Sequence, residues 1–205
     1  MIITISRETG SGGHTIGQML AERLGYRFYD KEIITEVARE MKLAEDVVME
    51  NDEYLSDSTY MDMVSGFVPF SRKEKVPFDK IEEVQEKMIR HVASDGNCII
   101  VGRSADYILR DVPGTLNVFI HADMAHRVSR VQAHEGVTDQ EKRIRRELEA
   151  KDRSRSAYYI YFTGREWGNV GNYNLSIDTG LFSKEQSVEM ILAAVSMLKG
   201  GEQDA

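Results

Sequence analysis

The sequence is short of cysteine, proline and long apolar runs, and each shortage removes a class of protein. The single cysteine, Cys98, cannot form a disulfide within the chain, which excludes a disulfide-stapled scaffold and favours a reducing compartment. No stretch approaches the roughly eighteen consecutive apolar residues that a membrane-spanning helix needs. The opening residues, MIITISRETGSGG, lack the basic start and the apolar core of a signal peptide. We therefore expect a cytoplasmic protein without a membrane partner.

A basic excess is also missing. The chain carries 26 lysines and arginines against 34 aspartates and glutamates, which gives a formal net charge of -8. Proteins that bind duplex nucleic acid usually carry the opposite excess, so this charge disfavours a nucleic-acid partner. A small anionic ligand is still compatible, because an acidic protein can contain a local basic cleft. With 205 residues, 41% of them hydrophobic, the chain suits one compact domain over residues 1–205.

The sequence does contain a regular alternation of short β-rich runs and amphipathic helical segments. This alternation predicts an α/β fold with a mostly parallel sheet. Five strands are expected, at residues 2–6, 27–29, 98–101, 116–121 and 173–178. Helices are expected near residues 15–24, 31–41, 44–51, 79–94, 122–133, 138–155 and 183–199. In such sheets ligands bind beyond the carboxyl ends of the strands, where Ser6, Gly102 and His121 fall.

Residues 52–79 interrupt this alternation. Two of the three prolines, Pro69 and Pro77, lie here among many turn-forming residues. The segment is long for a plain connection between two elements. We interpret it as an insertion on the substrate side of the fold, with a flap or a partner-binding segment as alternatives.

The strongest local signal is ITISRETGSGGHTIGQML, in which a buried strand leads through glycines into an amphipathic helix. Gly10, Gly12 and Gly13 allow backbone N–H groups to point inward without a Cβ in the way. The following helix directs its positive end to the same place. We predict that the backbone from Gly10 through Ser11 to His14 binds phosphate; the alternative is that the glycines only make a tight turn.

The loop departs from the standard phosphate-loop pattern G-x-x-x-x-G-K-[ST]. Arg7 falls at the first glycine of that pattern, Gly12 at the second and Gly13 at the lysine. The lysine charge is therefore absent, and Arg7, His14 or an arginine from elsewhere would have to replace it. Thr15 follows with a hydroxyl that can bind Mg²⁺ directly or through water.

Arginines and one acid outside this loop are further candidates. Arg103 comes just after a predicted strand, where it could bind the phosphate of an acceptor. Asp30 could cap its helix, contact a substrate hydroxyl or base, or assist the metal. A charged helix near residues 138–155 and the segment before it carry arginines that suit bidentate phosphate contact. The alternative for these arginines is a solvated face paired with acids. They are Arg127, Arg130, Arg143, Arg146, Arg153 and Arg155.

Three segments together resemble the cytidylate kinase-like family. SRETGSGGHTIGQMLAERLGYRFYDKEII is similar to the opening of that family. IIVGRSADYIL resembles its strand and Gly-Arg element, which helps to hold a monophosphate substrate. RELEAKDRSRSAYYIYFTGREWGNVGNYNLSIDTG resembles its arginine-bearing lid and last strand. The resemblance covers nearly the whole chain, in order.

The resemblance implies a three-layer P-loop kinase fold of the nucleoside monophosphate kinase type, with a helical lid near residues 138–165. It implies phosphoryl transfer from ATP–Mg²⁺ to a nucleoside monophosphate, with CMP or dCMP as the expected acceptor. It assigns Arg143, Arg146, Arg153 and Arg155 to a catalytic lid, and Arg103 and Asp30 to the acceptor. The sequence departs from the family at the missing lysine, at Val101 and at Ser104, where cytidylate kinases carry acids beside Gly-Arg.

These departures keep two other functions open. One is a nucleotide-binding regulatory protein that has lost turnover, and the other is a kinase for a different small acceptor. A protein-interaction role of residues 52–79 is compatible with each of them. The partners expected are thus a nucleotide donor and a small phosphorylated acceptor, and a homo-oligomer is left open.

Overall fold

A computed structural model describes residues 1–30, 78–137 and 140–201 of the chain. The helices predicted near 31–41 and 44–51 lie outside the described residues, as does almost all of the predicted insertion at 52–79. No helix in the described part of the chain is both long and apolar enough to cross a membrane.

Five strands form one sheet in which every neighbouring pair is parallel. They are β1 (Ile2–Arg7), β2 (Arg27–Tyr29), β3 (Cys98–Val101), β4 (Thr115–His121) and β5 (Leu175–Asp178). The strand order is β2-β3-β1-β4-β5, so β1 is central. Ile5 pairs with Val101 on one side and with Val118 on the other. The predicted parallel sheet is confirmed, and all five carboxyl ends point to the same edge.

Helices cover both faces of this sheet. The helices are α1 (Gly13–Leu24), α2 (Phe78–Ser94), α3 (Ala105–Ile108), α4 (Met124–Glu135), α5 (Glu141–Thr163) and α6 (Lys184–Gly201). Alternate residues of β1 pack into different clusters, because successive side chains of a strand point to opposite faces. Ile3 packs with residues of α1 and α6, whereas Ile2 packs with residues of α2 and α3. Both faces of the strand are therefore buried, which gives three layers.

Several element boundaries differ from those predicted. Helix α1 begins at Gly13, because Gly12 at φ 89° already turns the chain into the helix. Helix α4 begins later than predicted, because the Asp123 side chain caps it by accepting from the N–H of His126. Helix α5 continues through the aromatic stretch at 158–162 and ends where Gly164 adopts a left-handed conformation. This continuation buries Tyr159, whose exposed fraction is 3%.

Candidate active site

The phosphate loop joins the central strand β1 to helix α1 at the carboxyl edge of the sheet. Gly10 and Gly12 have φ values of 81° and 89°, which side-chain-bearing residues rarely adopt. At Gly13, an added Cβ would lie 2.6 Å from the Cβ of Arg7. The residue type at position 13 is therefore restricted by Arg7, which explains why glycine replaces the usual lysine. The change at the first glycine and the change at the lysine are sterically coupled.

A cavity of about 540 Å³ opens in front of this loop. Within the described part of the chain, four cationic side chains line it, and they come from four different segments. They are Arg7, Arg130, Arg155 and Lys184. Other residues that line it include Glu8, Thr9, Gly10, Gly12, Gly13, His14 and Thr15. A cavity with this set of groups suits a polyanion such as a nucleoside triphosphate.

Arg7 lies close enough to two other arginines for their charges to affect its own. Burial, followed by the positive charges of Arg155 and Arg103, lowers the pKa of Arg7 from its ordinary value to about 9. The carboxylates of Asp30 and Asp152 offset this only in part. Among the described residues, no carboxylate pairs with Arg7 within 4 Å. An anion bound beside Arg7 would relieve the repulsion among the three arginines.

Hydrogen bonds and ion pairs connect the loop to helix α5. Asp152 Oδ1 accepts from both the N–H and the hydroxyl of Thr9, each at 2.7 Å. The other oxygen of Asp152 pairs with Arg127, which is 8% exposed and also donates to the carbonyl of Thr9. Arg155 Nη1 donates to the Thr9 hydroxyl at 2.8 Å and to the carbonyl of Arg7 at 3.2 Å. Helix α5 is thus joined to the phosphate loop at several points.

Arg130 makes a similar connection to the end of β5. It donates to the carbonyl of Gly10 at 3.1 Å and to the carbonyl of Thr179 at 3.2 Å. The Thr179 hydroxyl in turn donates to the carbonyl of Ser11 at 2.6 Å. The sequence left Arg127 and Arg130 open between phosphate contact and a solvated face. The structure places both against the loop, with Arg130 lining the cavity.

A second, smaller cavity of about 60 Å³ adjoins the carboxyl ends of β1 and β3. Its lining includes Arg103, on which the acceptor prediction rests, together with Ser104, Tyr158 and Trp167. Arg7 and Arg155 line this cavity as well as the larger one. The two cavities therefore share two guanidinium groups.

A buried hydrogen-bond network supports the second cavity. Tyr159 donates its hydroxyl to Asp106 Oδ2 at 2.6 Å, and Ser6 donates to Oδ1 at 3.4 Å. Burial raises the pKa of the Asp106 carboxyl, and burial together with Asp106 raises the pKa of Tyr159. Both Ser6 and Tyr159 line the cavity, so Asp106 fixes part of its wall. No periodicity or spacing in the sequence singles out this acid.

The remaining predicted residues near the loop occupy different positions. His14 Nε2 lies 3.0 Å from Asp30 Oδ2, so the structure brings these two candidates together. Ser11 is fully buried and donates its hydroxyl to the carbonyl of Glu8, so it shapes the loop from behind. Thr15 lines the large cavity from the first turn of α1.

The predicted Mg²⁺ needs oxygen ligands near Thr15. Within the ranges that the structure describes, no group of three or more His, Cys, Asp or Glu side chains could hold a metal ion. In kinase sites Mg²⁺ usually keeps several waters and binds substrate phosphates together with few protein oxygens. Thr15 remains the residue predicted to hold it.

The four predicted lid arginines separate on helix α5. Arg155 lines both cavities, whereas Arg143, Arg146 and Arg153 line neither. Arg143 donates to Glu147 at 2.7 Å and to Glu135 at 2.9 Å on the outer surface. Arg153 lies 3.8 Å from Glu149, and Arg146 is exposed. Lys184 was not predicted, although its place just after the carboxyl end of β5 is a usable signal.

Comparison with known proteins supports an assignment to a family. Residues 2–181 match the model of the cytidylate kinase-like family. A cytidylate kinase from Archaeoglobus fulgidus is 28% identical over 204 residues, covering 97% of this chain and 97% of that protein. A cytidylate kinase from Methanosarcina acetivorans is 24% identical over 205 residues, covering 98% of this chain and 100% of that protein.

Solved structures share the architecture. An uncharacterized protein from Eubacterium ventriosum has a TM-score of 0.71 at 26% identity, covering 96% of this chain and 98% of that one. A gluconokinase from Sinorhizobium meliloti has a TM-score of 0.51 at 18% identity, covering 98% and 94%, which is a likeness of fold alone. The predicted α/β fold of P-loop kinases is thereby confirmed. Because the family model extends over residues 2–181 of 205, the chain belongs to the cytidylate kinase-like family.

Proposed function

We propose that this protein transfers the terminal phosphoryl group of ATP to a nucleoside monophosphate, with CMP or dCMP as the acceptor. Its family supports nucleotide kinase activity, and the relatives named cytidylate kinase suggest the acceptor. The observation that carries the proposal is that the two cavities share Arg7 and Arg155. A phosphoryl group that moves from one cavity to the other would remain beside these two positive charges.

The larger cavity is assigned to the donor. Backbone N–H groups from Gly10 to His14 would surround the phosphates, and Arg130 and Lys184 would add charge. Thr15 would hold Mg²⁺, which neutralises developing phosphate charge when it is bound. No covalent step by the protein is required, because phosphoryl transfer depends on positioning and on electrostatic stabilisation.

The smaller cavity is assigned to the phosphate of the acceptor. Arg103 would bind that phosphate, and Asp30, held by His14, would contact the acceptor nucleoside. Arg7 is proposed to supply the charge that a lysine gives in the standard phosphate loop, since Gly13 leaves no room for that lysine. Arg143, Arg146 and Arg153 remain predicted lid residues that would have to act after a movement of α5.

The experiment that tests the proposal is ADP production from ATP and Mg²⁺ with a panel of CMP, dCMP, UMP, AMP and GMP. Acceptor-dependent turnover that is fastest with CMP or dCMP is the expected result. Turnover with another nucleotide would correct the base and keep the reaction. ATP binding without turnover on any acceptor would contradict the proposal.

The missing lysine favours one other function, a nucleotide-binding regulator without turnover. The Cβ of Arg7 restricts position 13, so the loop has lost a group that contacts the β- and γ-phosphates in standard P-loops. The same panel separates the two functions, provided that ATP binding is measured in parallel by calorimetry.

A further inference from the structure

The turn that carries Arg103 has an unusual backbone. Gly102, Arg103 and Ser104 have φ values of 80°, 60° and 51°, so three consecutive residues are left-handed. Two of them bear side chains, for which this conformation is unfavourable. Such a turn persists only where surrounding contacts determine it. The hydrogen bonds of its peptide groups therefore determine the position from which the Arg103 side chain extends.

Carbonyl groups on either side of Arg103 are used within the turn itself. The carbonyl of Gly102 accepts from the N–H of Ala105, and the carbonyl of Ser104 accepts from Tyr107 and Ile108. The carbonyl of Arg103 instead accepts from a side chain on another element. Gln85 Nε2 of helix α2 donates to it at 3.0 Å.

Gln85 is itself buried, with an exposed fraction of 4%. A buried glutamine in the middle of a helix costs free energy unless its amide is hydrogen-bonded, and an apolar residue would fill the same space at no such cost. Its neighbours Met88 and Ile89 follow the apolar pattern of the buried face. The hydrogen bond to the Arg103 carbonyl therefore accounts for a side-chain amide at this buried position.

We infer that Gln85 is a positioning residue for the acceptor phosphate, acting through Arg103. Its amide fixes the peptide plane between Arg103 and Ser104, and this keeps the turn left-handed. The Arg103 guanidinium then stays at the second cavity, near enough to Arg7 to lower the pKa of that residue. The assignment of this phosphate to an acceptor nucleotide rests on the function proposed above.

The kinetic test compares Gln85→Met with a matched control, Lys87→Met, on the same helix. Lys87 is exposed and pairs only with Glu83 at 2.6 Å among the contacts described. Gln85→Met should raise the KM for the acceptor about tenfold, the effect of one lost hydrogen bond, with the KM for ATP and kcat changed less than twofold. Lys87→Met should change none of these.

A double mutant distinguishes positioning from general loss of structure. In an Arg103→Ala background, Gln85→Met should change the KM for the acceptor less than twofold, because its effect passes through Arg103. Equal losses for both substrates, or additive losses in the double mutant, would overturn the inference. If Gln85→Met does not fold, Gln85→Leu also lacks the donor without adding a charge, and the same outcomes apply to it.

A binding measurement keeps this inference separate from the proposed reaction. Inorganic phosphate is titrated by calorimetry into protein saturated with Mg²⁺ and a non-hydrolysable ATP analogue. Gln85→Met should weaken phosphate binding about tenfold relative to the wild type and to Lys87→Met. Equal affinities, or no phosphate binding by the wild type, would overturn the inference. A Gln85 effect on phosphate without turnover of any monophosphate would refute the proposed reaction and leave the inference standing.

Discussion

At the scale of single residues, Arg7 shows how two departures from a standard motif depend on each other. Its Cβ occupies the space beside Gly13, and its guanidinium extends towards Gly102 at the second cavity. One arginine on β1 thus changes the glycine position and the lysine position of the phosphate loop together. The loop thus keeps a positive charge at the large cavity, although from a different backbone position.

The lowered pKa of Arg7 predicts how its charge changes the free energy of unfolding with pH. At pH values between the folded pKa of about 9 and the higher pKa of the unfolded chain, Arg7 holds more protons in the unfolded state, so its contribution to stability should rise with pH across that window. Below about pH 9 the charged guanidinium destabilises the ligand-free protein. Arg7→Met keeps much of the aliphatic stem and removes the charge. At pH 7 we expect its Tm without ligand to rise by about 3 °C, for a gain on the order of 1 kcal/mol.

The same variant should bind ATP roughly tenfold to a hundredfold more weakly, since charge-assisted hydrogen bonds are lost. Thermal melts with and without ATP measure both effects. Arg145→Met is the matched control, because the Arg145 side chain is 41% exposed and lies 3.3 Å from Glu141. A lower ligand-free Tm for Arg7→Met would mean that Arg7 is favourably paired, against the electrostatic argument.

At the scale of elements, helix α5 does more than carry candidate arginines. Asp152 joins it to the phosphate loop through Thr9 and to helix α4 through Arg127. Because Arg127 and Asp152 are largely buried, this pair differs from the exposed pairs further along the helix. The phosphate loop thus depends on a helix more than 140 residues away in the sequence.

Asp152→Asn tests this dependence. The amide oxygen can still accept from Thr9, but the amide nitrogen faces the charged Arg127. Arg127 keeps Glu8 as an acidic neighbour at 3.6 Å, so the lost charge-assisted bond should cost about 2 kcal/mol and lower the Tm by roughly 6 °C, and the KM for ATP should rise. Glu149→Gln on the same helix is the control, since its pair with Arg153 is exposed. If both variants have the same Tm and the same KM for ATP, α5 does not position the loop.

At the scale of the whole molecule, an acidic chain brings several positive charges together at one edge of the sheet. The formal net charge is -8, yet arginines and a lysine from four segments line the large cavity. This convergence is possible because the parallel strands all end at the same edge. The sheet that produces it is held by isoleucines and valines that are buried on both faces.

The central strand should accordingly dominate stability. Ile3 has no exposed surface, and Ile3→Ala should cost about 2–5 kcal/mol through lost burial and a cavity. Circular dichroism melts should show a Tm lowered by roughly 10 °C. Met197→Ala on α6, where the side chain is 76% exposed, should melt within about 2 °C of the wild type. Similar shifts for the two variants would contradict the central role of β1.

The parts of the fold that depend on residues close together in the sequence could be predicted. The strand at 98–101 and the short strand at 27–29 lie where the β-rich runs indicated. The end of α5 was placed too early, because the helix continues only where Tyr159 finds a buried site beside Asp106. That site is formed by β1 and α3, which no local pattern describes.

The sequence by itself determined the parallel α/β sheet, the glycine-rich turn and the family, because each depends on periodicity or on a contiguous motif. Only the tertiary structure decided which arginines meet. Arg143 and Arg155 lie on the same helix with similar local surroundings, yet Arg143 pairs with surface acids and Arg155 reaches Arg7. The pairing of Gln85 with the carbonyl of Arg103 was likewise decided by tertiary structure. Contacts between distant segments depend on how helices pack against the sheet, and that packing is a property of the whole chain.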